Sequence, residues 1–199
     1  MHSQSVASNP PFDPRDALAQ SVLTRESSRA LRLHRTLETM LDLTRSNPPG
    51  SPAVFDHFLD TILDALLVSA EAPMGNLQLF DPASGSLRIR AHRGFEAPFL
   101  EFFADVHDGA ACASAFARGE PVVVDDVAVS TLFTPESRGV ALAARVRAVQ
   151  SLALTAGDKR LGVVSIHYSS PGISQHHREA FATAAPLVAR LVEAGLRTR

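Results

Sequence analysis

The sequence predicts an α/β (α+β) chain in which helices cover a central sheet, and three observations carry that prediction. Val146–Tyr168, VRAVQSLALTAGDKRLGVVSIHY, holds two apolar runs, Ala148–Leu154 and Leu161–Tyr168, around a polar turn at Thr155–Arg160 centred on Gly157-Asp158. Two strand-length segments joined by a glycine-containing turn form a β-hairpin. Both runs are apolar on both faces: Leu152 and Leu154 oppose Val149 and Ala153, while Leu161 and Val163 oppose Val164 and Ile166. Such strands lie in the interior of a covered sheet. Second, Leu87–His92 alternates strictly, with Leu87, Ile89 and Ala91 inward and Arg88, Arg90 and His92 outward. That is an edge strand with a wet face, and its basic row reads as a solvated face. Third, helical periodicity with start signals recurs before, between and after the strands.

Each element follows in order. Residues 1–13 are polar, carry Asn9-Pro10-Pro11, and read as a disordered N-terminus. Residues 14–46 read as one helix. Leu23, Ala30 and Leu37 lie seven apart with Leu33 and Met40 between them, a heptad seam of about three repeats interrupted by Glu26. Two readings stay open, a helix packed on its own domain and a dimer seam. Asn47-Pro48-Pro49-Gly50 ends it; Ser51 caps the next helix with Pro52 at its first position. Phe55, Phe58, Leu59, Ile62 and Leu66 form its apolar face, with Asp56, Asp60 and Asp64 opposite. Gly75–Phe80 is the first strand, Asp81–Gly85 a turn and Leu87–His92 the second strand. Ala97–Val106 is read as a short helix bearing Phe99, Phe102, Phe103 and Val106. Those side chains are either plain core or a roof over a ligand cavity. Asp108–Arg118 reads as a small-residue helix stopped by Gly119, and Pro121–Val127 as a strand. Thr134-Pro135-Glu136 starts a helix to about Arg145, and Ser174 caps the last one, with Phe181, Ala185, Val188, Leu191 and Val192 on one side. Pro186 sits inside it and is expected to bend it near Ala182.

Composition narrows function. A chain of 199 residues with 45% hydrophobic and 20% charged residues is an ordinary globular sequence. A net charge of −2 gives no electrostatic reason to expect nucleic acid or an anionic membrane as partner. The single cysteine, Cys112, excludes an internal disulfide and any metal cluster built on several cysteines. No apolar run is long enough for a bilayer, and the N-terminus lacks the order of a secretory signal. A cytoplasmic location is expected. Four polar residues interrupt the central hairpin: Gln150, Ser151, Ser165 and His167. Buried, they must bind one another or something small.

Six segments carry a resemblance: MGNLQLFD (Met74–Asp81), AHRGF (Ala91–Phe95), FLEFF (Phe99–Phe103), ACASAFARGEPVVVDDV (Ala111–Val127), RAVQSLAL (Arg147–Leu154) and LGVVSIHYSSP (Leu161–Pro171). In this order and spacing they resemble the GAF domain, a small-molecule sensing module of signalling proteins. The resemblance spans residues 52–195 and leaves 14–46 as a signalling or dimerisation helix. It implies an antiparallel sheet of about six strands, with a bundle of the N-terminal, second and C-terminal helices on one face. Short helices and loops would enclose a pocket on the other. Carried over by position, it puts Phe99, Phe103 and Cys112 around that pocket with Val124 and Asp125 near them, and adds Ser151, Ser165 and His167 from the hairpin.

The functional expectation is a non-enzymatic regulatory module that binds a small molecule. It would signal through the terminal helices of a homodimer to a partner protein in signal transduction. The alternative is an assembly or scaffold protein with the same fold and an empty pocket. Relatives that reduce free methionine sulfoxide use several cysteines, and Cys112 alone cannot close that cycle within the chain. GxSxG, HExxH and GxxxxGK[ST] are absent, and the chain is expected to hold no attached catalytic domain. The cofactor is unknown. Bilin is not expected, because Phe133–Arg145, where the anchoring thiol of such relatives sits, has no Cys. Haem is not expected either: His176 and His177 diverge, and His107 and His167 read as structural.

Overall fold

In the computed structural model, residues 14–197 are described, with side chains from residue 21 onward; the expected disorder at 1–13 lies outside the described residues. Start signals in the sequence set the helix boundaries. Helix α1 spans Pro14–Ser46 and α2 spans Pro52–Ala70, where the Ser51 side chain accepts a hydrogen bond from the Val54 amide at 3.4 Å. In α5 (Pro135–Ala143) the Thr134 hydroxyl accepts from the Ser137 amide, and in α6 (Gln175–Leu196) Ser174 accepts from that of His177. Each cap satisfies an amide that the first helical turn leaves without a partner.

Strands β1 (Met74–Asp81), β2 (Ser86–Arg93), β3 (Val122–Val124), β4 (Ala148–Ala156) and β5 (Lys159–Tyr168) form one antiparallel sheet in the order β2-β1-β5-β4-β3. The predicted hairpin is β4–β5, closed by Gly157-Asp158, and β5 lies at the centre of the sheet. Five strands form among the described residues where the resemblance implied about six; beyond β2 only a two-residue bridge, Leu87–Val106, extends the sheet.

One face of the sheet meets α2 and α6, and α1 packs on those two helices. Leu77, Leu152, Leu154, Val164 and Ile166 pack there against Phe55, Leu59, Ile62 and Leu66 of α2 and Val188, Leu191 and Val192 of α6. Leu33, Leu37 and Leu41 bring the second half of α1 into this core, whereas Val22, Leu23 and Leu31 are exposed. The predicted seam therefore divides. Its members Leu33 and Leu37 serve the chain's own core with Met40 packed against it, and its first member, Leu23, faces solvent. Close approach is built in at Gly195, where a Cβ would strike the Phe55 ring, and at Gly162, where it would strike the Gln78 carbonyl. The other face of the sheet carries α3 (Ala97–Phe102), α4 (Ala111–Arg118) and α5, with Phe95, Phe99, Phe103, Val149 and Val163 in a second core.

Several sequence expectations change. The helix expected over Ala97–Val106 ends at Phe102, because Val106 exchanges two backbone hydrogen bonds with Leu87 (3.0 and 3.1 Å). The next helix begins at Ala111 and not at Asp108. The strand expected over Pro121–Val127 shortens to three residues: Asp125 and Asp126 turn their carboxylates to Ile173, Arg178 and Arg147. A bulge at Arg90 breaks the alternation of β2, so Leu87 and Ile89 face the second core while Ala91 joins the helix-side core. A bulge at Leu161 does the same in β5 and turns Leu161 away from Val163. The basic row is not simply solvated, and neither are the acids of α2. Arg90 pairs with Asp56, and Arg93 with Asp60 and Asp64, both at 2.8 Å.

Candidate functional site

Strand alternation puts a polar row on the sheet face opposite the terminal helices. Asn76 of β1 pairs in register with Ser165 of β5, which pairs with Ser151 of β4. Gln78 and His167 lie one step away on the same face. All five are buried: Asn76 4%, Gln78 0%, Ser151 0%, Ser165 1% and His167 7% exposed. Above them sit Phe99 and Phe103 from the α3 segment, Ala111 and Cys112 from α4, Phe133 and Ala141. The hollow they enclose has a free volume of about 20 Å³, room for a single water molecule.

The hydrogen bonding is incomplete. Ser151 and Ser165 bond each other at 2.7 Å. The Oδ1 of Asn76, both amide atoms of Gln78 and both ring nitrogens of His167 are buried with no hydrogen-bond partner among the described residues. Leaving such an atom unpaired costs about 1–3 kcal/mol, so five together are a standing cost in a core that is otherwise apolar. Burial pushes the His167 pKa down to about 3, which keeps the ring neutral. Phe95 meets that ring edge-on, with centroids 5.1 Å apart, and stacks flat on Phe99 at 3.8 Å; Phe99 leans on Phe103 at 4.6 Å. The Cys112 thiol is pushed up to about 11 by burial, although nearby backbone amides oppose the shift. It carries no thiolate at neutral pH.

Of the eight residues singled out from the sequence, the structure brings six together around the hollow: Phe99, Phe103, Cys112, Ser151, Ser165 and His167. Val124 is buried in the same core but does not reach the hollow. Asp125 points away from it. Its carboxylate accepts hydrogen bonds from Arg178 at 2.5 Å and from the Ile173 amide at 3.2 Å, tying β3 to the start of α6. Gln150 faces the helices and donates to the Arg178 carbonyl at 3.0 Å, and His107 is exposed. Asn76 and Gln78 escaped the sequence reading. Their signal was there, since GNLQLF alternates polar and apolar residues, placing Asn76 and Gln78 opposite Leu77 and Leu79.

Two other concavities lie nearby. A cleft of about 200 Å³ between α3 and α5 is lined by Glu96, Pro98, Phe99, Val140 and Arg145 among others; Phe99 is therefore a wall common to the cleft and the hollow. An open groove of about 760 Å³ runs along the β1–β2 end, but its Arg88 and Arg90 are already paired with Asp81 and Asp56. Among the described residues no group of three or more His, Cys, Asp or Glu could hold a metal ion, and no helix is long and apolar enough to cross a membrane.

The sequence profile of the GAF domain matches residues 53–193. The chain belongs to the GAF domain family. No curated protein is significantly similar to it in sequence. Solved structures share the GAF fold at low identity. A free methionine-R-sulfoxide reductase from Neisseria meningitidis, in complex with its substrate, is 16% identical with a TM-score of 0.65, covering 85% of this chain and 93% of that one. The A. aeolicus nlh2 GAF domain in an inactive state is 17% identical with a TM-score of 0.62, covering 86% and 99%. The domain of a putative two-component sensor histidine kinase from Sinorhizobium meliloti is 20% identical with a TM-score of 0.56, covering 71% and 88%. GAF domains are signalling and sensory modules, and this chain has their α+β architecture.

Proposed function

We propose that this GAF domain is a non-catalytic sensor whose small-molecule ligand binds on the polar row beneath Phe99 and Phe103. One observation carries the reading: five buried hydrogen-bonding atoms without partners converge on a single face of the sheet. A ligand that pairs with them removes a cost the unliganded fold bears. Strand β5 offers the route outward, because Ser165 and His167 face the pocket while Val164 and Ile166 of the same strand pack against α2 and α6. Gln150 on β4 adds a direct hydrogen bond to α6. The output is a changed packing of α1 and α6 in a homodimer that engages a signalling partner. Val22, Leu23 and Leu31, exposed in the first half of α1, are the surface for that dimer.

The same observations favour binding over catalysis. The reductase from Neisseria meningitidis acts on methionine sulfoxide, whereas the only cysteine here is buried with its thiol held at about 11. A second reading, a scaffold with a closed pocket, draws on the small free volume and the self-satisfied Ser151–Ser165 pair. A thermal-shift panel of cyclic nucleotides, amino acids, purines and aromatic acids, with native mass spectrometry of the purified chain, separates the two. The sensor reading expects at least one compound to raise the melting temperature in proportion to the logarithm of its concentration. A flat panel with no co-purifying molecule supports the scaffold.

A further inference from the structure

We infer that the pocket selects an uncharged, planar heterocycle that presents hydrogen-bond donors and acceptors along one edge, and that it enters through the α3–α5 cleft past Phe99. The inference rests on the sensor reading and adds the chemistry of the ligand. Among the described residues no Lys, Arg, Asp or Glu lines the hollow; its polar groups are two carboxamides, one imidazole and two hydroxyls. The imidazole is neutral, and the hydroxyls already bond each other. A phosphate or carboxylate placed here would lose its hydration and find no countercharge to offset that loss. A neutral ring loses far less and regains it on the unpaired atoms. Those atoms are mixed in kind. Gln78 offers a donor and an acceptor, Asn76 an acceptor, and a neutral imidazole one of each. Lactams, imides and ring amides match such a set along one edge.

Shape points the same way. The polar row is the floor of the hollow, and Phe99 and Phe103 stand over it with Phe95 stacked on Phe99. A flat ring lies between such surfaces with its π-face on the aromatics. The hollow alone is too small to take it, but the cleft of about 200 Å³ shares Phe99 with it as a wall. A change of the Phe99 rotamer would join the two spaces and open the floor to the cleft that Glu96 and Arg145 help to line. Those charged residues stand in the cleft and not in the hollow, so a charged substituent is accepted only on the part of a ligand left outside.

The test uses the full chain and two sets of probes at matched concentrations, read by calorimetric titration and thermal shift. Uracil, hypoxanthine and nicotinamide form the neutral set; cyclic AMP, cyclic GMP, aspartate and benzoate form the charged set. At least one neutral probe is expected to bind, and Gln78→Met is expected to weaken it by about tenfold or more, since two hydrogen bonds are lost. Asn76→Leu is the second variant, used where Gln78→Met does not fold. Binding of a charged probe that the same variants abolish overturns the ligand class and leaves the sensor reading intact. Neutral binding that neither variant weakens overturns the assignment of the site. Binding by no probe in either set, with no molecule co-purifying, overturns both readings together.

Discussion

Acid should loosen this protein through His167, and the size of the effect follows from its burial. The ring is 7% exposed, both nitrogens lack partners, and its pKa falls from an ordinary 6.5 to about 3. Well above pH 6.5 the folded and unfolded chains both hold a neutral ring, so the group adds no pH dependence there. Between 6.5 and 3 the unfolded chain takes up a proton that the folded chain refuses, and stability therefore falls as pH falls. At pH 5 the loss reaches about 2 kcal/mol, roughly thirtyfold in the folding equilibrium. The assay is urea denaturation at about pH 7.5 and pH 5, run on wild type and on His167→Gln, which does not titrate. All other ionisable groups are shared, so the difference between the two losses isolates residue 167. Wild type should lose about 2 kcal/mol more than the variant across that interval. Equal losses, within about 0.5 kcal/mol, would mean that the folded protein accepts a proton on His167 or pairs it with a solvent-connected group. Either outcome would refute the sealed, neutral pocket.

Other substitutions probe the same architecture. Gln78→Met removes two unpaired polar atoms at near-constant volume and should raise stability by about 1–3 kcal/mol, a gain of roughly 2–12 °C in melting temperature; destabilisation would show that Gln78 is bonded. Phe99→Ala should cost about 3–5 kcal/mol by chemical denaturation while speeding ligand association in stopped-flow measurements. An unchanged association rate would remove Phe99 as the gate. Gly195→Val drives a branched side chain into the Phe55 ring and should cost about 1–3 kcal/mol or more; a neutral result would mean that α6 does not pack closely on α2 there. Asp125→Ala, which frees Arg178 and the Ile173 amide, should cost about 1 kcal/mol because the ion pair is half exposed.

The parts of the fold legible in sequence are those set by local chemistry. Ser51-Pro52, Thr134-Pro135 and Ser174 each mark a helix start because a hydroxyl or a proline acts on the neighbouring amides, and each stands where expected. The β4–β5 hairpin was equally plain, since two apolar runs and one glycine turn leave little alternative. What escaped depends on partners distant in the chain. The bulges at Arg90 and Leu161 reverse the facing of Ala91 and Leu161, yet no residue type marks them. Arg90 reads as part of a wetted row until α2 crosses β2 and brings Asp56 beside it, with Asp60 and Asp64 beside the neighbouring Arg93. In the pocket, hairpin polarity exposed Ser151, Ser165 and His167, but Asn76 and Gln78 needed the same alternation argument applied to β1. Asp125 was misleading for a related reason: its neighbour in space is Arg178, 53 residues away.

The borders of the sheet have a bearing on how copies of this chain can meet. One outer strand is clasped by the Leu87–Val106 bridge and lined with arginines; the other is three residues long and follows directly on Pro121. Neither margin is a long, flat template on which a foreign strand could zip up. Runaway stacking into fibrils is thus discouraged at both ends.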